Sequence, residues 1–317
     1  MNIGLYIFNG KTRYEPVVLE EVKVTWQRKN TPGKLEFKVH RKGLKCTEGN
    51  AVAMYVGKVA FFYGYIFKKS RSEEDIISIT AYDQLRYLKN KDTYNYSGKA
   101  SDFIKRVASD FGIKTGKIAD TNYSIPPRIE DNSTLFDMFQ NALDLTMANT
   151  GKIYTLYDKF GELTLSDMDT MITNVLIDKD TCTELDYTSS IDDDTYNKIK
   201  LTYDNEETGK RDVYIAKDSS NINKWGVLQY YDTLQEGENG QAKVEQLLKY
   251  YNRKTRNLSV KKAIGSTKVR GGSYIVAVLS LGDINVKNYM LVEKVVHKFE
   301  AGKHFMDLTL AGGEFVE

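Results

Sequence analysis

The chain has 317 residues, 41% hydrophobic and 28% charged, with 45 basic residues set against 43 acidic ones. That length suits two or three domains, and the apolar fraction is that of an ordinary core-forming protein. A formal charge of +2 gives no general argument for nucleic acid or membrane binding, Cys46 and Cys182 make neither a metal spacing nor a redox pair, and no apolar run reaches the ~20 residues of a membrane span.

Tyrosine is abundant at 22 copies and proline scarce at 4, which favours half-buried strands. Met1–Phe8 is too short and uncharged for a signal peptide, so synthesis and folding in a cytoplasm without an anchor are expected. Residues 3–8 predict a first strand. In Val17–Arg28, Val22, Val24 and Trp26 alternate with Lys23, Thr25 and Gln27. Thr31-Pro32-Gly33 is a turn. Leu35–His40, Val52–Val56 and the aromatic-rich Lys58–Lys68 (Phe61, Phe62, Tyr63, Tyr65, Phe67) predict further strands, and residues 73–75 a turn. Short strands at this spacing suit an antiparallel sandwich or barrel.

From Ile76 the period is two, with Ile77, Ile79 and Ala81 against Ser78, Thr80 and Tyr82. At Asp83 it becomes helical, with Tyr82, Leu85 and Leu88 on one stripe, Arg86 and Lys89 facing away, and Asp83 as N-cap. This stretch predicts a strand-to-helix hinge in which Tyr82, Asp83, Leu85, Tyr87 and Leu88 are packing residues. Next comes a helix capped by Ser97 or Ser101 and running to Phe111, with Gly112 as its stop. Ile125-Pro126-Pro127 must be extended. Asn132-Ser133 starts a second helix that stops near Gly151. Ile153–Tyr157 and Glu162–Ser166 form a hairpin around Lys159-Phe160-Gly161. Strand periodicity returns at Tyr187. Lys198–Tyr203 and Arg211–Ala216 predict a hairpin across 206–209, Asp218–Trp225 a polar loop, and Asn239–Arg256 a third helix on Val244, Leu247, Leu248 and Tyr251. Tyr274–Leu279, Tyr289–Phe299 (Leu291, Val295 and Phe299 on one side) and His304–Leu310 close the chain. The expected division is 1–92 all-β, 93–176 α+β, and 177–317 β with one helix.

No constellation points to catalysis. Of the three histidines, His40, His297 and His304, the last two straddle the last hairpin, but a metal needs further ligands, and those two read as surface or edge-strand imidazoles. Asp192, Asp193 and Asp194 are consecutive, so on an extended chain they point to opposite faces; they read as a solvated loop. Neither a nucleophile elbow nor a phosphate-binding loop is present. From Lys249 to Arg270 there are eight basic residues, Lys249, Arg253, Lys254, Arg256, Lys261, Lys262, Lys268 and Arg270, and no acidic one. With Tyr250 and Tyr251 interleaved, this block permits a single-strand-binding reading. The favoured reading is a basic face that meets solvent or an acidic protein partner.

The run Ile77–Asn90 resembles the signature of the XkdQ/YqbQ type of phage baseplate hub protein. Phe62-Tyr63-Gly64-Tyr65-Ile66 is similar to that family's aromatic-Gly-x-Ile strand. Ser190–Asp193 leading into Tyr196–Leu201, Trp225–Gln229, and His297 followed by His304–Leu308 are similar to further family segments, in the same order. The resemblance implies a mainly β fold with an α+β insertion: two tail-tube-like β-barrel domains flanking a small α+β module. It implies a structural, non-enzymatic hub with no catalytic, cofactor or metal site, in a virion or tail-like particle assembled in a bacterial host cytoplasm. The expected assembly is a homotrimer with a central channel, adapting a six-fold tail tube to a three-fold spike. Expected partners are tail tube protein, spike and other baseplate proteins, with DNA passing unbound and no membrane. The rival readings are a tail-borne cell-wall hydrolase and a nucleic-acid-binding module.

Overall fold

The structure, a computed structural model, describes residues 2–73, 75–192, 194–205, 209–234, 238–281 and 284–312. Alternating apolar side chains build β1 (Ile3–Asn9), β2 (Thr12–Tyr14), β3 (Val18–Gln27), β4 (Lys34–His40), β5 (Ala51–Val56), β6 (Val59–Glu73) and β7 (Ile76–Tyr82). Val22, Val24 and Trp26 of β3, Leu35, Phe37 and Val39 of β4, and Ile77, Ile79 and Ala81 of β7 all enter one core. Each fully buried aliphatic side chain of this kind contributes about 1.5–3 kcal/mol. Gly64 is required where β6 crosses β7, because a Cβ there would sit 2.2 Å from the Tyr82 carbonyl oxygen. Glu74, in the expected turn after β6, lies outside the described residues.

The opposite face of these strands carries half-buried rings. Tyr6 meets Tyr55 with ring centroids 6.0 Å apart, and Tyr63 meets Tyr65 at 5.9 Å. Tyr65 reaches Tyr87 at 6.2 Å, Tyr87 reaches Phe67 at 5.9 Å, and Phe67 reaches Tyr82 at 5.6 Å. Phe160, from the hairpin loop of the next module, joins Tyr55 at 5.3 Å to Tyr63 at 5.6 Å. The result is a continuous aromatic band across β1, β5, β6 and the residues that follow β7.

At Asp83 the chain forms a short 3-10 helix, Gln84–Lys89, and leaves it extended at Asn90. The predicted helix is therefore tighter and shorter than periodicity implied, because β8 (Lys91–Lys99) begins at once and pairs with β10 (Ser124–Thr134). Between them lie α1 (Ala100–Asp110) and β9 (Thr115–Ile118). Neither serine caps α1. Its N-cap is Lys99 without a side-chain bond, and the Ser101 N–H donates to Thr121 Oγ1 across 3.3 Å. Pro126 and Pro127 fall where the β8–β10 register shifts, since neither has an N–H for the ladder. Helix α2 (Leu135–Thr150) is capped by Thr134, two residues after Asn132, and ends at the left-handed Gly151. β11 (Tyr154–Asp158) and β12 (Leu163–Asp167) complete the module. Leu85, Leu88, Phe103, Ile104, Phe139 and Leu163 share its separate core.

The remaining elements are β13 (Ile172–Ile177), β14 (Glu184–Ser190), β15 (Lys198–Asn205), β16 (Lys210–Lys217), α3 (Ser219–Trp225), β17 (Gln229–Thr233), α4 (Gly240–Tyr251), β18 (Thr255–Ile264), β19 (Tyr274–Leu281), β20 (Ile284–Glu300) and β21 (Lys303–Ala311). The expected polar loop at 218–225 is helix α3, started by Asp218 accepting from the Asn221 N–H at 2.9 Å. Residues 206–208 of the β15–β16 turn lie outside the described residues. The third predicted helix stops at Tyr251, and Thr255 is already in a strand. β16, β15 and β17 form a small sheet covered by α4, with Ile199, Leu201, Val244 and Leu247 in its own core.

The two β segments are joined edge to edge. One 13-stranded sheet runs β14-β18-β21-β20-β3-β4-β7-β6-β5-β1-β2, with β19 on β20 and β13 on β19. The seam is the antiparallel β20–β3 pair, from Lys294↔Gln27 to Phe299↔Val22. A register shift between Val292 and Lys294 places Val292, Val295 and Phe299 in the core and leaves Leu291 half-buried, off the face it was expected to share with Val295. The fold is mainly β with an α+β insertion.

Candidate functional site

Asp83 sits where the first β segment, the α+β module and the second β segment meet. Its Oδ1 accepts from the Leu85 N–H at 3.1 Å and starts the 3-10 turn. Its Oδ2 accepts from the Gly33 N–H at 2.9 Å, in the turn between β3 and β4. A Cβ on Gly33 would lie 2.3 Å from that oxygen and 2.7 Å from Trp26, so this turn requires glycine. Leu85 and Leu88 point into the module core, whereas Tyr82 is half-buried and Tyr87 is 39% exposed in the aromatic band.

The second β segment sends Arg270, from the loop between β18 and β19, into the same place. Its guanidinium carbon lies 4.0 Å from the Tyr157 ring centroid and 4.9 Å from that of Trp26. Nη2 donates to the Asp158 carbonyl at 2.8 Å. Asp158 Oδ1 accepts from the Gly161 N–H at 2.8 Å, and its Oδ2 has no hydrogen-bond partner among the described residues. Asp83 and Asp158 are only 2% and 5% exposed. Burial holds the Asp83 carboxyl well above the usual range, with the Asp158 charge adding to the effect, and raises Asp158 to about 6. Burial also lowers the Arg270 pKa, against the pull of Tyr157 and both aspartates. Paired carboxylates of perturbed pKa are a catalytic signature only where substrate reaches them. Here both are sealed, and neither lines the shallow clefts beside Arg28, Phe136 and Tyr154. The arrangement is a polar joint between modules.

The histidines adjoin this joint and are not on the surface. His297 and His304 are 0% and 8% exposed, because β20 is flanked by both β3 and β21. The Val269 carbonyl can only accept, so His297 Nε2, at 3.0 Å, carries the proton. His297 Nδ1 must then accept from His304 Nε2 at 2.9 Å, and His304 Nδ1 is left as a bare acceptor with no partner among the described residues. Protonating either ring would set two N–H groups against each other or strand one. Burial accordingly holds His297 well below its usual value, helped by His304, and lowers His304 to about 4. No group of three or more metal-binding side chains occurs among the described residues.

These shifts have opposite signs in stability. The neutral histidines stabilise the fold above the unfolded pKa of about 6.5, and that contribution is lost as pH falls below it. The raised aspartates work the other way: stability present below the unfolded value of about 4 is lost as pH rises through the folded one, about 6 for Asp158. Asp158→Asn removes one of the two compensating groups. Its unfolding free energy from urea titration should fall between pH 7 and pH 5 relative to the unsubstituted chain, by about 1.3 kcal/mol; an identical pH slope for both proteins would refute this assignment.

The contiguous basic block is dispersed. Lys249 ends α4, Arg253 and Lys254 lie in the next loop, Lys261 and Lys262 are on β18, and Lys268 follows it; all six are exposed. Arg256 is half-buried, and Arg270 belongs to the joint. Asp192 and Asp194 are exposed, and Asp193 lies outside the described residues. Sequence reasoning missed Asp158 and the inward role of Arg270, since no spacing links residues from separate modules. It noted the aromatics of β6 but not their continuation through Tyr6, Tyr55, Phe160 and Tyr87.

The profile of the YQBQ-like family matches residues 22–311. Two Bacillus subtilis (strain 168) proteins are similar along almost their whole length. The uncharacterized protein YqbQ is 32% identical over 97% of this chain and 96% of its own. The phage-like element PBSX protein XkdQ is 31% identical over the same shares, 97% and 96%. Among solved structures, a tail protein from Neisseria meningitidis MC58 shares the fold with a TM-score of 0.71 and 12% identity, over 98% of this chain and 97% of that one. The E. coli c3393 protein, described as a type VI secretion component structurally similar to T4 bacteriophage tail proteins gp27 and gp5, gives 0.58 and 10%, over 98% of this chain and 76% of that one.

Proposed function

The chain belongs to the YQBQ-like family, and on that premise we propose that it is a structural hub subunit in the baseplate of a phage-type tail. The supporting observation is agreement along the whole length: family residues from 22 to 311, and a tail-protein fold over 98% of the chain. In this reading three copies form a ring around a channel. Residues 1–92 and 177–317 of each copy supply tube-like β domains to the ring, and 93–176 form the inserted module. The ring joins a six-fold tube to a three-fold spike. Its work is geometric, so its interfaces should be large and rich in apolar and aromatic contacts. No helix among the described residues is long and apolar enough to cross a membrane.

The test is light scattering on the purified chain, alone and with its spike partner, alongside mass spectrometry of purified tail particles. Expected are a complex with three copies of the 36.2 kDa chain and the chain's presence in particles. Monomers in both mixtures together with absence from particles would reject the reading. The same preparation should give no clearing in a cell-wall zymogram and no retention of single-stranded DNA at physiological salt.

The exposed lysines and arginines of the basic block are assigned to protein contacts. A basic channel wall would hold passing DNA through its phosphates. Reversing Lys249, Arg253, Lys261 and Lys262 to glutamate should reduce assembly with tube or spike several-fold and leave DNA passage unchanged. Normal assembly with altered DNA delivery would move these residues to the channel.

A further inference from the structure

The aromatic band on the first β segment touches the buried joint only through the Phe160–Gly161 turn, whose Gly161 N–H donates to Asp158 Oδ1. Both its ends are capped by arginine. The Arg13 guanidinium carbon lies 4.9 Å from the Tyr6 ring centroid, and that of Arg86 lies 5.4 Å from the Phe67 centroid. Among the described residues neither arginine has a carboxylate within 4.0 Å. A guanidinium stacked on a ring keeps its N–H edges free for bidentate pairing with a carboxylate.

The band is completed by the hairpin turn between β11 and β12. Phe160 has φ of 52°, a left-handed conformation that a bulky residue rarely adopts. Gly161 beside it is held against Tyr63, where a Cβ would lie 2.9 Å from the ring. This backbone places Phe160 between Tyr55 and Tyr63 and carries the band from one module onto the next. The turn itself, closed by the Lys159 N–H donating to the Glu162 carbonyl at 2.8 Å, requires positive φ at both Phe160 and Gly161.

The geometry narrows the occupant. Neighbouring rings along the band are tilted by 54° to 79°. Their faces are turned toward one another and offer no run of parallel platforms for stacked bases. Tyrosine, phenylalanine and arginine together, with carboxylates absent, are instead the composition of a protein interface core. A second copy of this chain is a poor match through two of its exposed apolar sheet faces. These carry Val213, Ile215 and Tyr231 beside Lys200 and Lys217, or Val278 and Tyr289 beside Lys287. Either would set lysine against Arg13 and Arg86.

We propose that the aromatic band is the docking face for a different protein of the particle, one whose surface has an apolar centre flanked by carboxylates. The inference rests on the reading of the chain as a tail-particle subunit.

The test places p-benzoylphenylalanine at Tyr65 in the full chain, produces particles in a host, irradiates them, and maps the cross-linked peptides. Expected is a cross-link to one protein other than this chain, through a peptide containing Asp or Glu. Its yield should fall at least ten-fold when Arg13→Glu and Arg86→Glu are added. Arg13→Gln with Arg86→Gln provides a milder variant should charge reversal prevent folding, and its yield should also fall. Cross-links only to the chain itself or to DNA, a partner peptide without carboxylates, or a yield indifferent to the arginines would each overturn the proposal. So would the absence of any cross-link from particles that contain the chain. Particles lacking even the unsubstituted chain would overturn the functional reading, and this inference with it.

Discussion

Replacing the half-buried Arg270 by alanine is expected to lower the unfolding free energy by about 2–3 kcal/mol, through loss of a donor to a buried carbonyl and of a cation packed on two rings. Asp83 and Asp158 are buried, and the Arg270 charge favours the ionised form of both, while its hydrogen bond goes to the Asp158 main-chain carbonyl. Without Arg270, two carboxylates face one another in a dry site, and the Asp158 carbonyl loses its donor. The packing of the guanidinium on Trp26 and Tyr157 goes as well. Urea unfolding at pH 7 measures the loss. Adding Asp158→Asn should recover part of it, because one of the stranded charges is gone. Lysine at this position should not restore stability, since an ammonium cannot stack flat between two rings and still reach the carbonyl. A loss below about 1 kcal/mol would place Arg270 among ordinary surface ion pairs and remove the joint from the account.

Leu85→Asp is expected to cost about 4 kcal/mol or more, through loss of a core side chain and burial of an unpaired carboxylate. Leu85 is buried with Leu88, Leu135 and Leu163 in the module core, within the first turn after the Asp83 cap. The damage should be local at first. Hydrogen exchange should rise in α1, α2 and β8, while the β3–β4–β7 ladders of the main sheet stay protected. Tyr87→Asp is the control: its side chain is 39% exposed, so the same charge two residues on should cost far less. Equal losses for the two variants, or uniform exchange across both cores, would show that the hinge does not separate the cores as described.

The strand-to-helix change at Asp83 was legible because a period of two gives way to a helical stripe, and because a short carboxylate suits a first turn. Most strands of the first segment were legible for the same reason: one face is buried, so alternation is strict. The bulge in β20 was not. An extra residue between Val292 and Lys294 moves Leu291 off the face that Val295 and Phe299 share, and no residue there announces it. The cap of α1 was misplaced because Thr121, which accepts from the Ser101 N–H, comes from another part of the chain, whereas that of α2 is local and was missed by choosing Asn132-Ser133 over the adjacent Thr134. The histidines were misread as peripheral because β3, from a distant part of the chain, encloses β20 on the side away from its hairpin partner β21. The candidate site was half visible. Asp83 stood out as a cap, but its partners Arg270 and Asp158 come from other modules. Arg270 closed a basic run whose other members are mostly exposed, and composition alone treated them alike.

The seam between β20 and β3 has a mechanical consequence. Its hydrogen bonds span Val22–Gln27 against Lys294–Phe299 and lie side by side across the junction. Pulling the two β segments apart along the strand direction loads these bonds together, in shear, so that they resist as a group. Twisting one segment against the other must also break the packing of a shared core. The two segments therefore transmit force as one stiff plate. Cutting the chain to obtain either alone would bare a long central edge, and neither piece should be obtained as a well-behaved monomer.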